Sequence, residues 1–230
     1  SLFTDWLLAR KLVIHLKKRE RQVLNGLFDA LVENALQQPV VVVHRDYHSR
    51  NLMIRRDKTL GIIDYQDAVT GPVTYDLVSL LRDCYVKWPQ KKVQEWVNVY
   101  LKQLQREQGT IFQPDEFIRW FDLMGMQRHL KAAGIFARLS LRDGKHSYLA
   151  DIPRTISYLV DVSAEYKEFA EASDWFRHTL TPALARLNIT SMDNEAVRPA
   201  KEQQLTKEQK PINEKESAKE QESTKKEAAP

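Results

Sequence analysis

Along the first third of the chain, apolar residues repeat with the period of a helix and then switch to that of a strand. Trp6, Leu7, Leu8 and Leu12 fit one helical face, with Asp5 placed to cap it. A cleaner period runs through Leu24, Leu27, Phe28, Leu31 and Ala35 and stops at Pro39. Val40 to Val43 are four β-branched residues in a row, the pattern of a buried strand. A polar stretch follows over 44–51. Residues 52–56 then alternate like a strand, Asp57-Lys58 reads as a turn, and 60–64 read as the partner strand of a hairpin. Gly71-Pro72 breaks the chain again. Beyond it the pattern is helical over 75–86, 91–108, 114–142, 152–172 and 175–187, with Pro89, Gly109, Gly144, Pro153 and Pro182 at or near the ends. The expected architecture is α+β and mainly α: two helices, a small β-hairpin with polar loops, and a helical block.

Composition changes this picture in two places. Residues 199–230 hold seven Lys and seven Glu, no aromatic residue, and only Leu205 and Ile212 as large aliphatics. Such a segment cannot bury enough apolar surface to offset its ordering entropy. We therefore expect a folded domain over 1–190 and a charged, disordered tail over 191–230. The remaining basic residues are scattered and not interleaved with stacking aromatics, which argues against a nucleic-acid partner. No apolar run approaches the length of a membrane span. Cys84 is the only cysteine, so no internal disulfide can form. With no basic-then-apolar leader pattern, a reducing, cytoplasmic location is expected. Cys84 itself falls in an apolar helical stretch and reads as a buried, inert thiol.

The candidate chemistry lies in His44-Arg45-Asp46-Tyr47-His48-Ser49-Arg50-Asn51. Asn51 follows Asp46 by five residues, and Asp64 ends an apolar strand thirteen residues after Asn51. Phosphoryl transfer to a hydroxyl needs a carboxylate near the nucleophile and oxygen ligands for the metal that bridges the phosphates. Asp46 can supply the first, and Asn51 with Asp64 the second, because a hairpin between them brings both to one edge. Few hard oxygen donors suit Mg²⁺, which keeps several of its waters.

His44-Arg45-Asp46 with Asn51, followed by Ile62-Ile63-Asp64, resembles the catalytic loop and metal aspartate of the protein-kinase-like fold. Tyr65-Gln66-Asp67 after the aspartate resembles the aminoglycoside phosphotransferase and choline kinase branch. Gln38-Pro39, the stretch from His44 through Leu52-Met53, Gln66-Asp67-Ala68, Gly71-Pro72 and Tyr75-Asp76-Leu77 are similar to the bacterial anomeric kinases of N-acetylmuramate and N-acetylglucosamine. So are Gln127-Arg128-His129-Leu130-Lys131 and Arg142-Asp143-Gly144-Lys145. The resemblance implies the C-terminal lobe of a kinase-like fold, with Asp46 as catalytic base and Asn51 and Asp64 holding Mg²⁺. It implies that His44 and Asp76 brace the loop, and that ATP phosphorylates the anomeric hydroxyl of an amino sugar during cell-wall recycling. By periodicity alone Arg128, His129 and Lys131 sit on a solvated helical face; the resemblance makes Arg128 and His129 substrate contacts. Arg45, His48 and Arg50 flank the base and are candidates for the same role.

A kinase-like fold grips ATP with a Gly-rich loop and a strand Lys. Only Gly26 precedes Asp46, and the 45 residues before it read as helices. The N-terminal, ATP-gripping lobe is thus expected to be missing, and the chain, which starts at Ser1, reads as a fragment. Two rival readings are an aminoglycoside or amino-alcohol kinase, and a pseudokinase or binding module. Arg and His crowd the loop where a cationic substrate would want Asp and Glu. Joint retention of Asp46, Asn51 and Asp64 argues against the binding module.

Overall fold

The computed structural model describes residues 1–109 and 111–187; the charged tail expected over 191–230 lies outside the described residues. The chain opens with a π-helix, Leu2–Lys11, that buries Phe3, Leu7 and Leu8. Its cap is Ser1, whose hydroxyl accepts the Thr4 N–H, so Asp5 falls inside the first turn and is not the cap. Helix α1, Lys18–Gln37, buries Leu24, Leu27 and Leu31 as their spacing predicts. After Pro39 comes β1, Val40–Val43. The expected hairpin consists of β2, Leu52–Ile54, and β3, Leu60–Ile62, in the register Leu52↔Ile62 and Ile54↔Leu60. Asp57 closes its turn by accepting the Thr59 N–H at 3.0 Å and the Thr59 hydroxyl at 2.6 Å.

Two strand expectations are corrected. Val43 is buried, but Val40 and Val42 are 69% and 79% exposed, so β1 is half-buried and not a core strand. It pairs with a strand the pattern did not predict, β4, Val69–Pro72. A two-stranded ribbon covers one face at most, which is why alternate valines face outward. Gly71 and Pro72 are part of β4 and do not break the chain. Pro72 opposes Val40 at the ribbon's end, a position where proline is tolerated. A Cβ on Gly71 would stand 2.9 Å from a Val43 methyl, so a larger residue here would force the buried valine to shift.

The helical block contains α2, Tyr75–Leu81, α3, Gln90–Gln108, and α4, Pro114–Asp143. It continues with α5, Ile152–Ala164, α6, Ala170–Trp175, and α7, Thr181–Arg186, the last two joined by a π-turn over Phe176–Leu180. Gly109 and Gly144 take left-handed C-cap conformations, with φ of 65° and 66°. Two ends differ from expectation because tertiary bonds override the helical ladder. Helix α2 stops at Leu81, since Asp83 takes the Tyr85 N–H at 2.9 Å. The helix expected over 152–172 breaks after Ala164, where Tyr166 turns its hydroxyl to Asp122 at 2.8 Å.

Two apolar clusters share α4 as their spine. One joins the opening helix and α1 to α4–α7 through residues such as Leu7, Leu27, Met126, Ile156 and Phe176. The other joins α2 and α3 to the start of α4 through Val78, Val97, Phe117 and Met124. Between the β1 ribbon and α2 lies Gln38, 3% exposed. Its Oε1 accepts the Thr74 hydroxyl at 2.7 Å, and its Nε2 donates to the Trp120 carbonyl at 3.4 Å. Gln38 thereby ties the start of β1 to the starts of α2 and α4, which places Asp76 beside the loop that leaves β1. The protein is mainly helical with two small antiparallel ribbons, the class the pattern predicts. No helix among the described residues is long and apolar enough to cross a membrane.

Candidate active site

The polar loop 44–51 leaves β1 and enters β2, and its bends are held by side chains from distant elements. Asp76, in the first turn of α2, accepts the His44 N–H at 2.5 Å on one carboxylate oxygen and the Arg45 N–H at 3.0 Å on the other. Arg45 has φ 75°, a left-handed conformation that costs a non-glycine residue about 1–2 kcal/mol. Three bonds hold it there: Asp76 on its N–H, Arg128 Nη1 on its carbonyl at 3.0 Å, and its own guanidinium on the Asp67 carbonyl at 3.4 Å. His44 Nε2 lies 2.9 Å from the Ile63 carbonyl. A carbonyl can only accept, so Nε2 carries the proton, and the ring links the loop to the end of β3.

Asp46 presents an exposed carboxylate, while its main-chain carbonyl accepts the His48 N–H at 3.0 Å and Asn51 Nδ2 at 2.9 Å. With Nδ2 engaged, the orientation of the Asn51 amide is fixed, and Oδ1 accepts no hydrogen bond among the described residues. The Asn51 main-chain carbonyl accepts the Ile63 N–H at 3.1 Å. Asp64 therefore follows directly at the same end of the hairpin, in a left-handed conformation (φ 64°, ψ 36°) and exposed. Among the described residues its carboxylate meets only Gln66 Nε2, at 3.5 Å. One amide oxygen and one exposed carboxylate are a donor set suited to a hydrated Mg²⁺. No group of three or more His, Cys, Asp or Glu gathers among the described residues, so a metal here would be completed by water and phosphate oxygens.

Sequence reasoning missed the buttress behind the loop. Asp83 is 2% exposed; its Oδ2 accepts the Ser49 N–H at 2.9 Å and the Ser49 hydroxyl at 2.5 Å. Ser49 opens the 3₁₀ turn Ser49–Asn51, so Asp83 shapes the turn that delivers Asn51. Its neighbours are clamped in turn. His129 Nε2 donates to the Arg82 carbonyl at 2.9 Å, and Arg154 Nη1 donates to the carbonyls of Cys84 and Tyr85, both at 3.1 Å. The Arg82 guanidinium pairs with Asp122. The one available signal was a pair of charges, Arg82-Asp83, inside an apolar stretch, where a buried charge needs a partner.

The expected substrate contacts divide. His129 is corrected: it is 1% exposed, stacked parallel on Tyr158 at 4.4 Å, and bonded to Arg82. Burial pushes its pKa down to about 3, so it is a neutral core imidazole beyond the reach of any substrate. Arg128 is half-buried and braces Arg45, with its guanidinium 4.4 Å over the Tyr75 ring. His48 is half-buried with its ring edge-on to Tyr85 at 5.5 Å. Burial lowers its pKa, against the opposing pull of Asp83 and Asp46. Arg50 is exposed and lies over Tyr85. Cys84 sits beyond the end of α2, not within a helix, and burial pushes its thiol up to about 12, which makes it unreactive.

Residues 2–116 match the phosphotransferase enzyme family. The chain is 46% identical over 171 residues to the N-acetylmuramate/N-acetylglucosamine kinase of Neisseria meningitidis serogroup B, covering 74% of this chain and 51% of the relative. It is 45% identical over 176 residues to the N-acetylmuramate/N-acetylglucosamine kinase of Pseudomonas aeruginosa, covering 76% and 52%. A relative of the same name from Caulobacter vibrioides is 34% identical over 140 residues, covering 59% and 37%. The chain spans about half the length of the first two relatives.

Proposed function

We propose, since the chain belongs to the phosphotransferase enzyme family, that loop 44–51 serves phosphoryl transfer from ATP to the anomeric hydroxyl of N-acetylmuramate or N-acetylglucosamine. The observation that carries this reading is the 2.9 Å bond from Asn51 Nδ2 to the Asp46 carbonyl. It couples the residue suited to take a proton to the residue suited to hold a metal, so the two keep one geometry. Phosphoryl transfer depends mainly on such positioning and on neutralising charge. The Asp46 carboxylate orients the acceptor hydroxyl and takes its proton; an anomeric hydroxyl is more acidic than an ordinary alcohol, so a carboxylate suffices. Asn51 Oδ1 and Asp64 are the residues that would hold Mg²⁺, which supplies positive charge beside the phosphates when bound. His44 and Asp76 keep the loop in place.

Ile54, Leu60 and Ile62 share one face of the hairpin, with 44–83% of their surfaces exposed. An apolar face of this kind favours a nucleotide base and a covering lobe lying against it. The Arg and His residues around Asp46 favour a neutral or anionic sugar over a polycationic aminoglycoside, which they would repel. The names of the relatives point the same way. The test is catalytic efficiency of the full-length gene product on both sugars and on kanamycin. Turnover of one or both sugars with little on kanamycin is expected; efficient kanamycin phosphorylation with neither sugar used would overturn the reading. The metal assignment has its own check. Asp64→Ala should raise the Mg²⁺ concentration for half-maximal activity further than Asn51→Ala, because a charged oxygen is the stronger ligand for a hard dication. Superimposable Mg²⁺ titrations would contradict that order.

A further inference from the structure

We infer that Arg50, and not Arg128, binds the carboxylate of an acidic sugar, with its guanidinium held ready by Tyr85; the inference rests on the sugar-kinase reading above. Arg45 and Arg50 lie in the loop that carries Asp46 and Arg128 bonds to it, and the structure separates the three. Arg128 is engaged by the Arg45 carbonyl at 3.0 Å and lies over Tyr75. Arg45 turns its guanidinium toward the Asp67 carbonyl. Arg50 is exposed and makes no hydrogen bond or ion pair among the described residues. Its guanidinium instead lies on an aromatic face, with the guanidinium carbon 3.4 Å from the centre of the Tyr85 ring.

That contact decides what Arg50 can do. Cation–π stacking uses the flat face of the guanidinium and leaves its in-plane N–H edge open. A carboxylate binds along that edge, bidentately and with charge assistance. The platform is itself rigid. Tyr85 donates its N–H to Asp83 at 2.9 Å and gives its carbonyl to Arg154 at 3.1 Å, and its ring lies against Phe136 and His48. Arg50 sits within the 3₁₀ turn Ser49–Asn51, which Asp83 pins through Ser49. A long side chain that would otherwise lose rotamer freedom on binding is therefore already ordered. Asp46 is four residues away in the same loop. The ligand this arrangement suits is a sugar that carries its reacting hydroxyl and a carboxylate on one ring, as N-acetylmuramate does through its lactyl group. N-acetylglucosamine has no such group.

The experiment compares both sugars in the full-length gene product and its variants. Arg50→Ala should lower kcat/KM for N-acetylmuramate by roughly tenfold or more relative to N-acetylglucosamine, mainly through KM, as the loss of a charged hydrogen-bond partner does. Arg50→Lys, which keeps the charge but not the planar edge, should recover only part of the ratio. Tyr85→Leu should shift the ratio in the same direction by a smaller factor. Arg128→Ala, which frees the Arg45 carbonyl, should affect both sugars alike. An unchanged sugar ratio in Arg50→Ala, or a selective loss in Arg128→Ala, would overturn the inference while leaving the sugar-kinase reading standing. A parent protein that phosphorylates neither sugar would remove that reading, and the inference with it.

Discussion

Asp46→Asn in the full-length gene product should lower turnover by about two to four orders of magnitude, the range for loss of a general base, with melting temperature and nucleotide affinity at the parent's values. The structure explains why the two effects separate. The bonds that shape the loop at this residue run through its main-chain carbonyl, which accepts from His48 N–H and Asn51 Nδ2. Asp46 is exposed, and its carboxylate accepts no hydrogen bond among the described residues. Asparagine has the same shape and leaves both main-chain bonds in place, so the geometry at Asn51 and Asp64 persists. What is lost is the ability to take a proton from the acceptor hydroxyl. An effect carried by turnover, and not by binding, marks an interaction made in the transition state. Turnover within a few-fold of the parent would remove Asp46 from this role. A large fall in melting temperature would mean that its carboxylate carries structure after all.

How legible each part was follows from where its determinants lie along the chain. The polar octet between two apolar segments stands out because it interrupts the burial pattern, and the expectations for Asp46, Asn51 and Asp64 start from that break. Helix α1 is equally plain, since Leu24, Leu27 and Leu31 repeat on one buried face. Strand β4 is not: it is defined by pairing with β1 nearly thirty residues earlier in the chain, Val43↔Val69 to Val40↔Pro72, and its own Gly-Pro reads locally as a stop. The ends of α2 and α5 are set by Asp83 and by the Tyr166–Asp122 bond, neither of which leaves a periodic trace. Arg128 and His129 show the limit most sharply. Adjacent helical residues point about 100° apart, so one braces the loop while the other is sealed in the core, and the motif that pairs them does not say which.

Asp122→Ala should destabilise the protein by about 3–5 kcal/mol, the scale for removing one partner of a buried ion pair. Arg82 and Asp122 have side chains only 4% and 14% exposed. The guanidinium lies against the backbone of α4, where a Cβ on Gly125 would come within 3.0 Å of Nη1, and 4.6 Å over the Phe121 ring. Its Nη1 already has no hydrogen-bond partner among the described residues, so Asp122 is the acceptor that keeps this charge tolerable. Tyr166 loses its partner in the same substitution, since its hydroxyl donates to Asp122 Oδ2. The damage should reach the loop, because the Arg82 carbonyl is held by His129 and the next residue, Asp83, fixes Ser49. Urea denaturation of this chain measures the loss, and a second variant separates charge from packing. Arg82→Met with Asp122→Leu removes the uncompensated charge altogether and should be markedly more stable than Asp122→Ala. An Asp122→Ala protein within about 1 kcal/mol of the parent would show that water reaches Arg82 and screens it, a degree of solvation that surface pairs enjoy and that this one, at 4% exposure, should not.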